Sequence, residues 1–473
     1  MPDEAVSLAL AIEPGAVAPL LRGLGIRAGR PVPLEMTWHD TADARFARDG
    51  TVLLAWRRGR REGWRLQSVM PSPLSPRGNA GDILAEGAGP EVLGIVAPEE
   101  IAAFCTFVGR QRTAHAGAVR LIIEDGALKS GIREVALCRV RLDGSAADIA
   151  ALGLMHGEVA GETIAAMALR LAGHDVVPSL PALPPLHDGM TASDGLAAIC
   201  AYFGERLRLI APAAAEGAGP EPVHQMRVTV RRARSALKLF HRAVPCDELD
   251  VIAAGLRALG QALGPARDWD VFLGSTISSV AAVAGPRMSA RLAAAARRRQ
   301  RAGYEALRAY LAGDAFRRLG LLMALAVLDR PWQRSSDADA LALPLADFAA
   351  AALSRRWRRL RAPGRDLADL PDERLHAIRL DAKRMRYAVE LFAPLHERRA
   401  AERMAGRMAQ LQERLGLLND GVVAAGLLAE LGAAGHGFAG GVARGLAVAR
   451  AEGTHVGIGK TWRRARRSKP FWR

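Results

Sequence analysis

Two stretches of this sequence concentrate side chains that can bind anions. They are VHQMRVTVRRARSALKLF at residues 223–240 and LHAIRLDAKRMRYAVELF at residues 375–392, and they align at an offset of 152 residues. Ammonium and guanidinium groups bind phosphate oxygens, and a guanidinium can do so through two parallel hydrogen bonds. The pattern predicts two tracks for phosphate groups, formed by His224, Arg227, Arg231, Arg232, Arg234 and Lys238 and by His376, Arg379, Lys383, Arg384 and Arg386.

Both stretches have the periodicity of a helix with one buried face. At about 100° per residue, the histidine and most of the basic residues fall on one side of each helix. We expect this basic stripe, about 20–25 Å long at the helical rise, to stay accessible while the apolar side is buried. The apolar sides consist of Met226, Val230, Ala233, Leu237 and Phe240 and of Ile378, Ala382, Met385, Val389 and Phe392.

An ordinary solvated helix face is the alternative interpretation. Such a face normally mixes charges, with Glu four residues from Lys or Arg. Here like charges recur at helical spacing, as in Arg227, Arg231 and Arg234, and they destabilise an isolated helix. Because the arrangement occurs twice, we favour a binding surface. Neither His224 nor His376 has a second ligand at metal-binding spacing, so no metal site is predicted there.

A second repeated block supports an internal duplication. LGPARDWDV at residues 263–271 and LGLLNDGVV at residues 415–423 share the offset of 152 residues. Two blocks with one offset predict that the helical region is two copies of one bundle. Asp268 and Asp420 recur in these blocks, and we expect them to hold basic side chains or cap helices rather than to do chemistry.

Other basic clusters are less specific. SRRWRRLR at residues 354–361 surrounds Trp357, which we expect in the core, and the aromatic residues of the C-terminal GKTWRRARRSKPFWR are expected to dock the last helix. Additional phosphate contacts are predicted at Arg355, Arg358, Arg359, Lys460 and Arg463.

The charge of the chain is concentrated in its C-terminal part. Residues 1–186 hold 19 Lys and Arg against 21 Asp and Glu, whereas the remainder holds 46 against 28. This asymmetry predicts a polyanionic partner for the C-terminal part alone. The four scattered cysteines indicate reduced thiols, and no secretory signal or run of 18 apolar residues is present. We therefore expect a cytoplasmic protein without a membrane partner.

The two parts of the chain also differ in predicted structure. The first part predicts an α+β fold with an antiparallel sheet, in which strands near residues 5–12, 51–59 and 117–142 accompany helices at 98–110 and 162–173. A proline-rich linker at 177–195 follows this domain of residues 1–176. Residues 196–473 predict an all-helical domain, with bundles at about 196–335 and 340–473.

The helical part resembles the CHAD family. The resemblance rests on the two basic stretches, the two Leu-Gly blocks and the terminal KPFW, and covers residues 195–473. It implies two pseudo-symmetric helical bundles around a basic surface that binds inorganic polyphosphate, with localisation at polyphosphate granules. The family's binding residues carry over to the eleven positions of the two basic stretches.

The first part resembles the CYTH, or triphosphate-tunnel, family. LEMTWHDTADARFARDGTVLLAWRRG, VRLIIEDGALKSG and EVALCRVRLDG are similar to strands of its barrel-like sheet. Enzymes of that family carry a Glu-x-Glu-x-Lys signature on the first strand, where this chain has residues 5–9 as AVSLA, and Arg139 and Arg141 stand on a late strand in place of glutamates. The resemblance therefore implies an inactive domain, with no catalytic residue, metal or cofactor.

Two alternatives to polyphosphate binding remain. One is a metal-dependent hydrolase of triphosphates or tripolyphosphate that acts through the first domain. The other is a nucleic-acid-binding protein, which the positive charge favours in a general way. Against the latter, Tyr387 is the one aromatic residue near the basic stripes, so platforms for base stacking are scarce.

Overall fold

The chain folds into two compact units. The computed structural model describes residues 6–69, 83–87, 100–152, 158–160, 163–174, 183–217, 219–335, 337–364, 367, 370–455 and 458–472. The first unit comprises Met1–Pro181 with Cys200–Arg208 and Arg317–Arg330. The second unit comprises Ala182–Ile199, Leu209–Phe316 and Pro331–Arg473.

The first unit contains an antiparallel sheet of nine strands in the order β5-β4-β3-β2-β6-β7-β8-β1-β9. This confirms the α+β prediction for the first part of the chain. The strands are β1 (Val6–Ala11), β2 (Val32–Thr41), β3 (Thr51–Arg58), β4 (Arg61–Ser68), β5 (Ile83–Gly87), β6 (Ile101–Ala116), β7 (Val119–Ser130), β8 (Arg133–Gly144) and β9 (Glu158–Val159).

Each face of this sheet has its own apolar core. Leu8, Leu121 and Val140 lie in one core, and Trp38 and Phe107 lie in the other. Alternate residues of a strand project to opposite faces, which is how a single sheet supplies both cores. The helices of this part are α1 (Val17–Gly23), α2 (Arg45–Arg48), α3 (Ala146–Ala151) and α4 (Ile164–Ala172).

The helix predicted at residues 98–110 is wrong, because β6 occupies Ile101–Ala116. The strand pairs with β2 on one side and β7 on the other. Cys105 and Phe107 are buried, whereas Val108 is half exposed. Burial along β6 therefore alternates with the two-residue period of a strand. The alanines at residues 102 and 103 favour helix locally, and the two strand ladders override that weak preference.

The rest of the chain is helical, which confirms the prediction for the C-terminal part. A π-helix at Phe272–Ile277 separates two of the helices. The helices are α5 (Ala192–Glu216), α6 (Pro220–His241), α7 (Asp247–Val271), α8 (Ser278–Ala284), α9 (Pro286–Ala312), α10 (Asp314–Asp329), α11 (Asp339–Ala342), α12 (Leu345–Arg361), α13 (Asp372–Phe392), α14 (Arg398–Glu430), α15 (Ala433–His436), α16 (Phe438–His455) and α17 (Ile458–Arg466).

The internal repeat extends over four helices. In the first copy α5, α6, α7 and α9 begin at residues 192, 220, 247 and 286. In the second copy α12, α13, α14 and α16 begin at residues 345, 372, 398 and 438, each within one residue of the offset of 152. The copies differ where α7 ends, since α14 continues as a single helix through the residues equivalent to the π-helix.

The buried faces of α6 and α13 contain the predicted residues, all of which are at most 4% exposed. Phe240 and Phe392 close the equivalent ends of these faces and both contact Phe348 of α12. The ring centroids of Phe240 and Phe348 are 4.5 Å apart in a stacked arrangement, and those of Phe348 and Phe392 are 6.4 Å apart. One aromatic ring of α12 therefore packs against both copies of the basic helix.

The four cysteines are free and buried, as predicted, and they are Cys105, Cys138, Cys200 and Cys246. Trp357 is buried, which confirms its predicted place in the core, and Trp462 and Trp472 of the C-terminal segment are buried as well. Among the helices that the structure describes, none combines the length and apolar character needed to cross a membrane.

Candidate functional site

Helices α6 and α13 carry the predicted basic residues because each has a defined start and one apolar face. Pro220 occupies the first turn of α6, where its missing N–H costs no hydrogen bond, and Gly219 before it adopts a φ of 122°. Pro371 caps α13 in an extended conformation. The two helices contact each other directly. The apolar faces of α6 and α13 are buried in the bundle cores. The basic residues therefore lie where the two copies of the bundle meet.

Five of the predicted basic residues come together, and we call them the central cationic cluster. These are Arg227 and Arg231 of α6 and Arg379, Lys383 and Arg386 of α13, all half-buried. The pKa of Lys383 is lowered to about 8, first by burial and then by the charges of Arg231, Arg379, Arg227 and Arg386. Because the lysine of one copy is affected by arginines of the other, the two predicted tracks converge.

Burial and neighbouring positive charge also lower the pKa of Arg231. Burial lowers its pKa most, and Arg227, Arg386 and Arg232 lower it further. The buried ring of Tyr387 lies beside two of these groups, with the guanidinium carbon of Arg231 6.0 Å and that of Arg386 5.1 Å from the ring centroid. The electron-rich ring face stabilises the two cations without neutralising them.

Carboxylates balance part of the cluster. Arg227 lies 3.6 Å from Asp268, which confirms the expected supporting role of this aspartate, and Arg386 lies 3.5 Å from Glu390. No carboxylate within ion-pair distance of Arg231 or Lys383 is found in the described part of the chain. The side chain of Asp420 lies outside the described residues, as does any contact that it makes with Arg379.

The repeated Leu-Gly blocks also support the cluster. A Cβ atom added to Gly264 would lie 3.5 Å from Nη1 of Arg227, and one added to Gly416 would lie 3.7 Å from Nε of Arg379. The two glycines are equivalent in the repeat. Each therefore leaves the backbone of α7 or α14 close to the guanidinium of the preceding basic helix, which the sequence motif alone did not reveal.

Two predicted residues face carboxylates rather than the centre of the cluster. Arg232 is 2.9 Å from Glu390, and Arg384 is 2.9 Å from Asp381. Arg232 still lies near enough to lower the pKa of Arg231. Their charges are nevertheless balanced within the protein, so they contribute less to anion attraction than their neighbours in sequence.

The remaining predicted residues are spread over the surface. His376 lies exposed at the start of α13, and Arg234 and Lys238 are exposed on α6. Arg359 contacts Asp381 at 3.1 Å. The other residues predicted as additional phosphate contacts are exposed on α12 and α17, and they are Arg355, Arg358, Lys460 and Arg463. No contact that the structure describes joins them to the central cationic cluster.

A cavity of about 490 Å³ adjoins the cluster. His224, Arg227 and Arg231 line one end of it, together with Arg267 and Asp268. Burial lowers the pKa of His224, and the charge of Arg267 lowers it further. The sequence prediction missed Arg267, although this residue stands beside Asp268 in the repeated block. Its position on the wheel of α7 could have drawn attention to it.

Arg356 was also missed, although two of the basic residues around it, Arg359 and Arg384, were predicted. Burial lowers the pKa of Arg356 to about 10, and Arg384, Arg242 and Arg359 lower it further while Asp381 opposes them. Arg356 lies in the basic run of α12, but only its exposed neighbours were predicted as contacts. Its half-buried position depends on how α12 packs against α13.

Small residues of β1 stand opposite arginines of β8. On β1, Ala9 pairs with Arg141 and Ala11 pairs with Arg139 of β8. Residues that are directly opposite in an antiparallel pair project from the same face. That face therefore carries arginine where the resemblance calls for glutamate. Within the described residues, no three His, Cys, Asp or Glu side chains are grouped to hold a metal ion.

The duplicated helical bundle defines the class of fold, and the central cationic cluster lies where its two copies meet. The comparisons agree with this fold. The CHAD domain family matches residues 200–429. The crystal structure of the CHAD domain from the plant Ricinus communis is 30% identical, with a TM-score of 0.51, and the match covers 62% of this chain and 98% of that one. The chain belongs to the CHAD domain family.

PptA from Streptomyces chartreusis is a more distant structural match. It is 17% identical with a TM-score of 0.41, and the match covers 57% of this chain and 99% of that one. Likeness at this level carries no argument about site or function. The comparison with curated proteins gave no match.

Proposed function

We propose that this protein binds inorganic polyphosphate through the central cationic cluster. The observation that supports the proposal is the half-buried pair Arg231 and Lys383, which faces further cations and has no carboxylate partner among the described residues. Burial of like charges is unfavourable for an empty site. A ligand with closely spaced negative charges relieves that repulsion.

Polyphosphate fits the cluster better than nucleic acid does. Each internal phosphate of the polymer brings about one negative charge at neutral pH, and the polymer has no bases to accommodate. Tyr387 is only 6% exposed and already contacts two guanidinium groups, so it offers no free face for base stacking. Long-chain polyphosphate is therefore expected to displace DNA at far lower concentration than DNA displaces polyphosphate.

The test compares two double variants that remove the same charge. The variant R231A/K383A removes two cations of the cluster that have no carboxylate partner among the described residues, whereas R297A/R298A removes two exposed arginines of α9. We expect the first to weaken binding of long-chain polyphosphate about a hundredfold, since each charged hydrogen bond contributes ~1.5–3 kcal/mol. The second should remain within about threefold of the wild type.

Folding must be measured alongside binding. Removing two mutually repelling cations should not lower the thermal unfolding temperature of R231A/K383A. Equal loss of binding in both variants would indicate attraction by net charge alone and contradict a defined site. Affinity should also fall steeply with added salt, because several charge pairs form on binding.

We further propose that binding recruits the protein to polyphosphate granules. A fluorescent fusion of the wild-type chain should collect at granules in cells that accumulate the polymer. The fusion of R231A/K383A should stay diffuse, and the fusion of R297A/R298A should collect as the wild type does. A diffuse wild-type fusion would contradict this part of the proposal.

We propose no enzymatic activity for the sheet domain. The support is the arrangement of β1 and β8, where small residues and arginines stand at the positions of the acidic signature. The full chain incubated with tripolyphosphate and Mg²⁺ or Mn²⁺ should release no phosphate above background. Metal-dependent turnover would restore the hydrolase interpretation.

A further inference from the structure

The cavity beside the central cationic cluster has two chemically different ends. At one end stand His224, Arg227, Arg231 and Arg267, which can meet an anion, and Asp268 lies among them beside Arg227. The rest of the described lining is largely aliphatic, and polyphosphate has no group that would use it. This aliphatic wall is formed by Val271, Val423, Ala424, Leu427, Ala443, Leu446 and Ala447.

Several of these apolar side chains are in contact with water. Val271 is 45% exposed and Val423 is 44% exposed, and the two valines are equivalent in the repeated blocks. Leu427 and Leu446 are only partly buried against the core beneath them. Burial of such side chains by a ligand releases about 25 cal/mol for each Å² removed from water. The wall is thus ready to stabilise an apolar group.

The π-helix forms part of the same cavity. Ser275 and Thr276 of the π-helix line it, and Ser279 follows on α8. A π-helix is a rare deviation that often accompanies functional sites. The second copy has no such interruption, since α14 is a regular helix at the equivalent residues. The distortion therefore belongs to the copy that contributes the cationic end of the cavity.

We propose that this cavity binds a phosphate ester with an aliphatic chain. The phosphate groups contact Arg227 and Arg231, the chain lies along Val271, Val423 and Leu446, and the hydroxyl groups of the π-helix are available to the ester oxygen. For its anionic end the proposal rests on the proposed function of the cluster. The volume of about 490 Å³ is that of a site for a small organic molecule.

The wall favours an aliphatic chain over a nucleoside. Phe272 is the aromatic residue of the described lining, and it is only 1% exposed, so its ring is already covered by the core. Bases are usually recognised by stacking and by hydrogen bonds to their edges, and an aliphatic wall supplies neither. Valine and leucine side chains match a saturated chain by shape and polarity.

The test measures calorimetric binding of methyl diphosphate and n-octyl diphosphate to the full chain. Each methylene group buried against the wall should strengthen binding about fourfold. We expect octyl diphosphate to bind at least about tenfold more tightly than methyl diphosphate. Octyl diphosphate that binds no more tightly than methyl diphosphate would overturn the proposal. So would ADP binding more tightly than octyl diphosphate, because the wall would then serve a base.

Two matched double variants show whether the affinity gained from the octyl group arises at the aliphatic wall. V271N/V423N makes the wall polar, whereas V251N/V283N changes two valines outside the cavity that are at least as accessible. All four side chains are more than 40% exposed, so neither variant should unfold. The first should lose about tenfold in octyl diphosphate affinity and nothing in methyl diphosphate affinity, and the second should lose neither. Equal losses would overturn the proposal.

Long-chain polyphosphate, measured with the same proteins, separates the two proposals. We expect V271N/V423N to bind it as the wild type does, since no apolar group takes part. A wild-type chain that binds polyphosphate but gains nothing from the octyl group overturns the cavity proposal alone. A wild-type chain that binds none of these anions overturns the proposed function as well.

Discussion

The two copies of the helical bundle have the same helix order but different electrostatic roles. Arg231 of the first copy and Lys383 of the second are equivalent, and both belong to the central cationic cluster. Lys238 of the first copy is exposed, whereas its equivalent Glu390 contacts Arg232 and Arg386. The duplication preserved the packing of the helices, and the copies then diverged at the residues that set the local charge.

The difference shows how a symmetric scaffold can produce an asymmetric site. Glu390 balances charge from both copies, whereas the equivalent residue of the first copy is Lys238. The π-helix and the cavity that it lines also occur on the first copy.

The packing that joins the copies is expected to give the largest effect. Phe348 contacts Phe240 and Phe392, so F348A should lower the free energy of unfolding by ~3–5 kcal/mol. The equivalent residue of the first copy is Leu196, which is fully buried. L196A should cost about 1 kcal/mol less, since no aromatic pair is lost.

Urea unfolding followed by circular dichroism measures both variants. A loss in F348A no larger than that in L196A would mean that the aromatic contacts add nothing to the junction of the copies. Folded F348A at low urea should still bind polyphosphate, because its side chain is not part of the cluster.

Lys383 of the second copy should make polyphosphate affinity depend on pH by about tenfold, whereas its equivalent in the first copy, Arg231, should not. Lys383 has a pKa of about 8 in the empty site, and a bound polyanion raises it, so binding takes up a proton. Affinity for polyphosphate should fall about tenfold between pH 7 and pH 9, whereas Arg231 stays protonated throughout. K383R should flatten this profile, and an unchanged profile in K383R would exclude Lys383 as its source.

The same shift acts on stability with the opposite sign. The pKa of Lys383 lies below its usual 10.5 in the folded protein, so the unfolded chain binds more protons between pH 8 and 10.5. The contribution of this group to the free energy of unfolding therefore rises across that interval. Thermal unfolding of wild type and K383R over the same pH range measures this contribution.

Removal of the asymmetric carboxylate should give the smallest effect. In E390Q, Arg232 and Arg386 each lose an ion pair and the cluster gains one unit of net charge. Affinity for polyphosphate should rise about fivefold, which corresponds to ~1 kcal/mol for a partly solvated pair. Titrations at fixed ionic strength measure the change.

The control for this variant is K238Q, at the equivalent position of the first copy. Lys238 is exposed, so its loss should lower affinity less than about twofold. Equal and opposite effects in E390Q and K238Q would indicate that the two positions act only through net charge, and that the copies do not differ in role.

Much of the helical part could be predicted because its signals are local and repeated. All ten residues that the apolar periodicity assigned to the buried faces of α6 and α13 are buried, from Met226 to Phe392. The helical pattern at residues 98–110 failed for the opposite reason. In β6 the partners of Cys105 and Phe107 come from distant strands, and no local pattern contains them.

The candidate site was predicted in part. Helical spacing indicated that Arg231 and Lys383 face away from the core, but it did not separate them from Arg232 and Arg384. Arg232 pairs with Glu390, and Arg384 pairs with Asp381. These ion pairs depend on how α13 is rotated about its own axis, which the spacing of residues along the sequence does not determine. Arg267 and Arg356 were missed because their half-buried positions arise from the packing of helices in contact with the repeated pair.

Residue types and their spacing were enough to establish the duplication, the amphipathic helices, the concentration of positive charge and the family to which the helical part belongs. These depend on residue type and on spacing along one chain, which local geometry converts directly into a helix with a basic and an apolar face. Tertiary structure decided which charges stay unbalanced and where a cavity with an apolar wall forms. Electrostatic energy depends on distance in space and on burial, and both are properties of packed helices rather than of the linear chain.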